Sequence, residues 1–195
     1  MVAVAKEVVP RAENDGVWKA MITLYLKDFI AFFWYEAFKD IDWEKPYELL
    51  EQEFMPVSMK KTMEKHIVDK LFKVFLKHDK KQSVLLHFEI ENEKDRKLPA
   101  LPTRMFTYFY KIVDNHNQEV ASLVILTDDN KNWRPKQYYQ RIWKSEISRT
   151  YEVVKILDFK PREAELKKHK NLFALLCKPL HNKSYAKKVV MQNNL

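Results

Sequence analysis

The sequence predicts an α/β domain in which a central mixed β-sheet is flanked by α-helices. Apolar residues recur every three or four positions over residues 17–38, as on one face of a helix. Apolar and polar residues alternate over 84–91, which is the period of a strand, and 120–126 form an apolar run typical of a buried strand. Because both patterns follow each other along only 195 residues, we expect one domain that contains both element types.

Two helices are expected before the first strand. The longer one spans about 17–38, follows the polar residues 14–16, and has an aromatic stripe expected to pack against the sheet. A shorter helix is predicted over 46–54, with Pro46 in its first turn and Pro56 just beyond its end.

A β-hairpin is predicted in the middle of the chain. Residues 66–77 fit a helix as well as a strand, but the polar break at 78–81 is short enough to join two antiparallel strands. If the hairpin is symmetric about Asp79, Asp69 lies opposite Glu89, with Cβ atoms ~5 Å apart.

The opposed carboxylates of Asp69 and Glu89 indicate a metal site. Like charges that face each other on a sheet repel, and a divalent cation removes that penalty. Ligand sets made only of oxygen favour Mg²⁺ or Mn²⁺ over zinc. Glu91 and His87 share the strand face of Glu89 because side chains alternate along a strand. The alternative is that the two acids face solvent in a different register, and periodicity alone leaves it open.

The second half of the chain continues the α/β pattern. A helix is predicted over 100–114, before the strand at 120–126. The remaining predictions are strands at 139–144 and 151–157 and helices at 162–170 and 171–180.

Composition excludes several classes of protein. Gly16 is the only glycine, which excludes the glycine-rich loops of nucleotide sites and the nucleophile elbow of hydrolases. Cys177 is the only cysteine, so a disulfide framework and a cysteine-rich zinc site are excluded and a cytoplasmic location is expected. The longest apolar stretch, 21–38, contains three charged residues, so no membrane span is expected there.

Positive charge is concentrated toward the C-terminus. The formal net charge is +8, and residues 155–195 contain ten Lys and Arg against three acids. Lys167, Lys168 and Lys170 therefore make DNA a candidate partner, with an ordinary solvated surface as the alternative. The predicted organisation is a polar leader, a single domain and a basic tail: 1–14, 15–180 and 181–195.

An ordered series of segments resembles a known protein family. The segments, from about Asp15 to Asn171, are NDGVWKAMITLYLKDFIAFF, IDWEKPYELLEQEF, VDKLFKVFLK, VLLHFEIE, RMFTYFYKI, VASLVILTDD, WRPKQYY and VVKILDF. Together they resemble the bacterial recombination-promoting nuclease (Rpn) group, which includes transposase-like proteins, in the PD-(D/E)XK nuclease superfamily. The resemblance implies a restriction-endonuclease-like core with the active site on a hairpin.

The resemblance also implies an endodeoxyribonuclease that uses Mg²⁺ or Mn²⁺ and acts in DNA recombination or on mobile elements. By motif match, Asp69 and Glu89 stand at the metal-binding acids and Glu91 at the third catalytic position. The superfamily has Lys at that position and this group usually has Gln, so Glu91 departs from the pattern. A catalytically degenerate module that binds DNA or protein is therefore the alternative function.

Two residues of the predicted helix at 100–114 are candidate DNA contacts. Arg104 is expected either to bind a phosphate or to pair with Glu89 or Glu91, and Tyr108 lies one turn further along. Trp133 is expected to pack in a loop, with base stacking as the alternative. DNA is the expected partner. RNA as substrate and a homodimer both stay open, because no sequence feature decides either.

Overall fold

The computed structural model describes residues 11–50, 70–78, 82–91 and 100–177. The helices are α1 (Arg11–Leu24), α2 (Leu26–Phe33), α3 (Tyr35–Asp40), α4 (Leu101–His116), α5 (Glu163–Leu166) and α6 (Leu172–Leu176). The strands are β1 (Glu48–Leu50), β2 (Lys70–Phe75), β3 (Ser83–Glu91), β4 (Glu119–Leu126), β5 (Gln137–Ile142), β6 (Ser145–Thr150) and β7 (Glu152–Lys155). A 3-10 helix follows at Ile156–Arg162.

The central sheet is mixed, as predicted. Its strand order is β1-β2-β3-β4-β7, while β5 and β6 form a separate two-stranded sheet. The pairs β1-β2 and β2-β3 are antiparallel, whereas β3-β4 and β4-β7 are parallel. A parallel pair needs a crossover connection, and α4 lies between β3 and β4 in the chain. The carboxyl ends of β3, β4 and β7 therefore lie at one edge of the sheet.

The N-terminal helical region differs from the single helix predicted over 17–38. The chain forms α1, α2 and α3, which are separated at Tyr25 and Trp34, where ψ is 42° and 64°. The Tyr25 N–H still donates to the Met21 carbonyl, and the Trp34 N–H to the Ile30 carbonyl, both at 2.9 Å. One helix was predicted because the apolar period continues through both bends, and no Gly or Pro marks them. Among the described residues, no helix is long and apolar enough to cross a membrane.

The helix predicted over 46–54 was wrong in its described part. Residues Glu48–Leu50 form the short strand β1, and 51–54 lie outside the described residues. Leu49 lies opposite Phe72 in the antiparallel pair with β2. Pairing with a sheet edge overrides the local helical pattern here, because tertiary contacts outweigh a weak propensity.

The register of the predicted hairpin is confirmed wherever it is described. Lys70 lies opposite Phe88 and Leu71 opposite His87, as symmetry about Asp79 requires. Asp69 lies outside the described residues, so its position opposite Glu89 stays a prediction.

The two faces of the central sheet pack against different layers. On one face, Phe72 and Phe88 belong to an aromatic core with α1, α2 and α6, in which the Phe29 ring centre lies 5.2 Å from that of Phe88. On the other face, Leu85 packs with Ile112 of α4. The alternation of β3 thus buries both of its faces, one in an aromatic core and the other under α4.

The predictions for α4 and β4 are confirmed, but those for the following strands hold only in part. The strand predicted over 139–144 ends at Ile142, and β6 was missed. β5 and β6 form a hairpin with a turn at Trp143 and Lys144. Trp143 has φ 51°, a left-handed conformation that glycine adopts freely and that costs a bulky residue about 1 kcal/mol or more.

The elements predicted toward the C-terminus are longer than those observed. The strand predicted over 151–157 ends at Lys155, and the 3-10 helix begins at the next residue, Ile156. Within the helices predicted over 162–170 and 171–180, only α5 and α6 are α-helical in the described part of the chain. Both are single turns that pack on α2 through Leu166 and Phe173.

Candidate active site at the end of strand β3

Glu89 and Glu91 lie at the carboxyl end of β3, on the face covered by α4. Neither side chain faces solvent, since Glu89 is 4 % exposed and Glu91 is 9 % exposed. The reason is α4, whose inward-facing residues include Arg104 and Tyr108. Burial without partners would be costly for two carboxylates, so their contacts decide what the site can do.

His87 links Glu89 to the neighbouring strand. Its Nε2 lies 3.2 Å from Glu89 Oε1, and its Nδ1 lies 3.4 Å from Ser122 Oγ on β4. Both contacts are hydrogen bonds when the Ser122 hydroxyl donates to Nδ1 and the Nε2–H donates to Glu89. The edge of the imidazole also meets the Tyr108 ring, with centroids 5.6 Å apart. His87 therefore holds the Glu89 carboxylate in one orientation.

The order Ser122, His87, Glu89 is that of a hydrolase triad, but its surroundings differ. Ser122 is 5 % exposed and lies in β4, and His87 is fully buried. The nucleophilic serine of such a hydrolase lies on a sharp turn after a strand, whereas Ser122 lies within strand β4. The serine and histidine serve to position Glu89.

Arg104 of α4 forms a buried ion pair with Glu91. Both side chains are about nine-tenths buried, so the pair lies in a medium where unpaired charge is costly. The sequence offered two roles for Arg104, a phosphate contact or a pair with a glutamate, and the second is the one observed. The ion pair leaves the Glu91 carboxylate with a positive partner on the side facing α4.

Tyr151 is a residue of this region that the sequence did not single out. It packs with Met105 of α4 and Val124 of β4, and its hydroxyl has no hydrogen-bond partner among the described residues. Burial raises the pKa of Tyr151 to about 12, and the nearby positive charge of Arg104 opposes part of that rise. A neutral phenol thus lies close to the Arg104–Glu91 pair.

A second buried ion pair lies at the same edge of the sheet. Lys155 Nζ, at the end of β7, donates to both carboxylate oxygens of Asp128 at 2.6 Å and to the Trp133 carbonyl at 3.2 Å. Glu91 pairs with Leu126, which in turn pairs with Lys155. The sequence signal was a lysine that ends the apolar strand EVVK, together with an aspartate two residues after β4.

Trp133 belongs to this edge and packs in a loop, as expected. It packs with the cluster of Val124 and Tyr151, and its ring lies 5.5 Å from Lys155 Nζ. The ring is thus enclosed by the protein on the side of the sheet. Packing accounts for Trp133 without base stacking.

The structure brings together some of the predicted site residues and separates others. Arg104 pairs with Glu91, and the Tyr108 ring packs edge-on with His87 of the same strand. Lys167, Lys168 and Lys170 are exposed, but they adjoin Leu166, which packs with α2 on the opposite face of the sheet. These lysines belong to a surface other than the one that α4 covers.

Asp69, the remaining predicted acid, lies outside the described residues. Within the described part of the chain, no group of three or more His, Cys, Asp or Glu is arranged to hold a metal ion. The metal prediction stays a prediction.

No protein-family model, no curated protein and no solved structure matches this chain. The resemblance to the Rpn group therefore rests on the sequence segments quoted above. The mixed sheet flanked by helices agrees with that resemblance at the level of architecture.

Proposed function

We propose that this chain is a metal-dependent endodeoxyribonuclease that hydrolyses phosphodiester bonds and acts in recombination or on mobile elements. The observation that supports the proposal is the register of β2 and β3, which matches the one predicted from sequence over all described pairs. Continued by one residue, that register would pair Asp69 with Glu89. Two opposed acids at the end of a hairpin are an arrangement that a divalent cation stabilises.

The donor chemistry fits Mg²⁺ or Mn²⁺. Asp69 and Glu89 would hold the ion through carboxylate oxygens, which these cations prefer. When bound, such an ion neutralises charge on the phosphoryl oxygens and lowers the pKa of an attacking water. His87 keeps Glu89 oriented, because its other nitrogen is fixed by Ser122.

Arg104 and Glu91 supply the remaining chemistry in this proposal. A scissile phosphate that approaches Arg104 competes with Glu91 for the guanidinium. Both anions accept hydrogen bonds from the same N–H groups of the guanidinium. Glu91 is then released to accept a proton from the attacking water. The ion pair thus holds the base inactive until a phosphate is present.

The test is cleavage of supercoiled plasmid by the purified protein. We expect nicking with Mg²⁺ or Mn²⁺, none with EDTA, and a loss of at least about a hundredfold in Glu89→Gln and in Asp69→Asn. Glu152→Gln is the matched control, because Glu152 is an exposed acid on the nearby strand β7. Cleavage that persists in EDTA, or that falls equally in Glu152→Gln, would contradict the proposal.

A degenerate module that binds DNA without cleaving it is the second candidate, and the contacts of the two glutamates favour it. Glu91 already has Arg104 as partner, and Glu89 already has His87. Carboxylates satisfied within the protein need no cation to be stable. In this case the site does not cleave DNA, and its charged residues stabilise the packing of α4 on the sheet.

Glu91→Gln separates the two candidates. If Glu91 is the proton acceptor, the amide removes it and cleavage falls. If Glu91 is a lesion in a family that normally has Gln, the same change raises or restores cleavage, because the amide orients water without adding negative charge beside the phosphate. Protein that binds DNA in EDTA and never cleaves, with either residue at position 91, would identify the degenerate module.

A further inference from the structure

The β5–β6 hairpin, residues 137–150, is attached to α4 only near its base. The Tyr138 ring stacks on Phe106, with centroids 4.4 Å apart and an interplanar angle of 8°. Its cross-strand partner Arg149 places its guanidinium 4.0 Å from the Phe109 ring centre. Beyond these two contacts, residues 139–148 are exposed on both faces of the hairpin. We call residues 139–148 the arm.

Trp143 lies at the tip of the arm and is 87 % exposed. It contributes little to the packing of the domain, and its left-handed backbone suits glycine better than tryptophan. A residue that opposes the local conformation and leaves its ring almost fully exposed contributes little to folding. The exposed ring is available for a contact with a partner.

The charges of the arm identify the kind of contact. Arg141 and Lys144 flank Trp143, and Glu146 is the only acid of the arm, 3.9 Å from Arg141. The exposed apolar side chains form no broad face. Tyr139 lies on one side of the hairpin, and Ile142 and Ile147 lie on the other, each opposite a polar residue, Ser145 or Gln140. A protein partner or a bilayer needs a continuous apolar surface, whereas a nucleic-acid base needs one aromatic ring.

We propose that the arm binds single-stranded DNA, with a base stacked on Trp143 and the adjoining phosphates neutralised by Lys144 and Arg141. Stacking on an exposed ring between cations is sequence-tolerant and requires bases that are not already stacked in a duplex. The choice of DNA rests on the proposed function, but binding by the arm needs no metal. The arm would therefore direct the proposed site toward unpaired segments.

The experiment measures anisotropy of a labelled oligothymidylate in EDTA. We expect Trp143→Ala to weaken binding about tenfold and Trp143→Phe to keep most of the affinity, because phenylalanine retains the ring. Lys144→Ala should reduce the slope of log K against log salt by about 0.7, the value for one contact to a single strand. Tyr35→Ala is the control, since Tyr35 is also an exposed aromatic residue, 59 % exposed, but lies on α3.

Four results would overturn the proposal. Unchanged affinity in Trp143→Ala, or equal losses in Tyr35→Ala, excludes stacking at the tip. Loss of binding to phosphatidylserine vesicles in Trp143→Ala, without DNA binding by the wild type, assigns the arm to a membrane. A dimer in sedimentation that Trp143→Ala dissociates, again without DNA binding, assigns it to a second copy of the chain.

Failure of the arm and failure of the nuclease proposal give different results. Glu89→Gln should lose cleavage and keep full affinity for the oligonucleotide. A wild-type protein that never cleaves but binds through Trp143 supports the arm and contradicts the nuclease proposal. If the wild type cleaves DNA, and Trp143→Ala changes neither cleavage nor binding, the nuclease proposal is supported and the proposal for the arm is contradicted.

Discussion

Helix α4 contacts two regions that differ in the exposure of their charged side chains. Toward the sheet it covers a layer in which Glu89, Glu91 and His87 are buried and held by neighbouring side chains. Toward the β5–β6 hairpin it supports an arm whose cations and aromatic tip are exposed. The buried layer fixes the orientation of its groups, whereas the arm leaves its groups available to a partner.

In the two proposals, the two sides of α4 have different roles. Chemistry needs groups held in fixed positions, and burial with partners supplies that at a cost in free energy if one partner is lost. Binding of a polyanion needs accessible charge, which contributes little to folding when exposed. Substitutions in the buried layer should therefore change stability most, and those in the arm should change it least.

The largest effect is expected from breaking the Arg104–Glu91 pair. Arg104→Met leaves the Glu91 carboxylate buried without its cation, which should destabilise the protein by about 4 kcal/mol. Thermal unfolding should show a melting temperature lower by roughly 10 °C.

The double variant Arg104→Met with Glu91→Leu is the control. Replacing both charges with apolar groups should restore most of the lost stability, because no unpaired charge remains. A double variant as unstable as the single one would mean that the pair does not account for the loss.

A somewhat smaller loss is expected at the Asp128–Lys155 pair. Lys155→Met removes the cation from a carboxylate that is 1 % exposed, and we expect a loss of about 3 kcal/mol in urea unfolding. The loss should be below that of Arg104→Met because Asp128 also accepts the Asn130 backbone N–H at 2.9 Å. Asp128→Leu combined with Lys155→Met should recover part of it, and an undiminished loss would contradict the assignment.

Much of the sheet was predictable because its signals are local. The alternation over 84–91 and the short polar break before it predicted β3, and symmetry about Asp79 predicted the observed register with β2. β1 and the bends at Tyr25 and Trp34 were not predictable, because they depend on pairing and packing with distant residues.

The candidate site shows the same limit. The shared face of His87, Glu89 and Glu91 follows from strand periodicity alone. The covering of that face by α4, and the choice of Glu91 rather than Glu89 as partner of Arg104, depend on how the helix is placed. Lys155 and Asp128 are in contact because β7 pairs with β4 in parallel. No short-range sequence pattern predicts that pairing.

Removal of the Tyr151 hydroxyl should have a small effect at neutral pH and a clearer one at alkaline pH. Tyr151→Phe should raise stability by about 1 kcal/mol or leave it unchanged, because the buried hydroxyl has no hydrogen-bond partner among the described residues.

The pH dependence gives a second measurement on Tyr151. Burial raises the pKa of Tyr151 to about 12, above the value of 10.0 for a free tyrosine. The neutral phenol favours the folded state, so this contribution is complete below pH 10 and is lost as pH rises through about 12. The stability of the wild type relative to Tyr151→Phe should therefore fall between those values, and a constant difference would show that the phenol is not buried.

The smallest change in stability is expected at the tip of the arm, and its sign is the informative part. Trp143→Gly should raise stability by up to about 1 kcal/mol, a gain of roughly 3 °C in melting temperature, because glycine adopts φ 51° freely. Lys144→Gly at the other turn position should give no gain, since its φ is not positive. If Trp143→Gly is more stable yet loses DNA binding, the tryptophan is kept against the preference of the fold. If both glycine variants lose stability equally, the backbone at Trp143 is not strained. The comparison between an arm that opposes the local backbone preference and a buried layer that stabilises the fold would then be wrong.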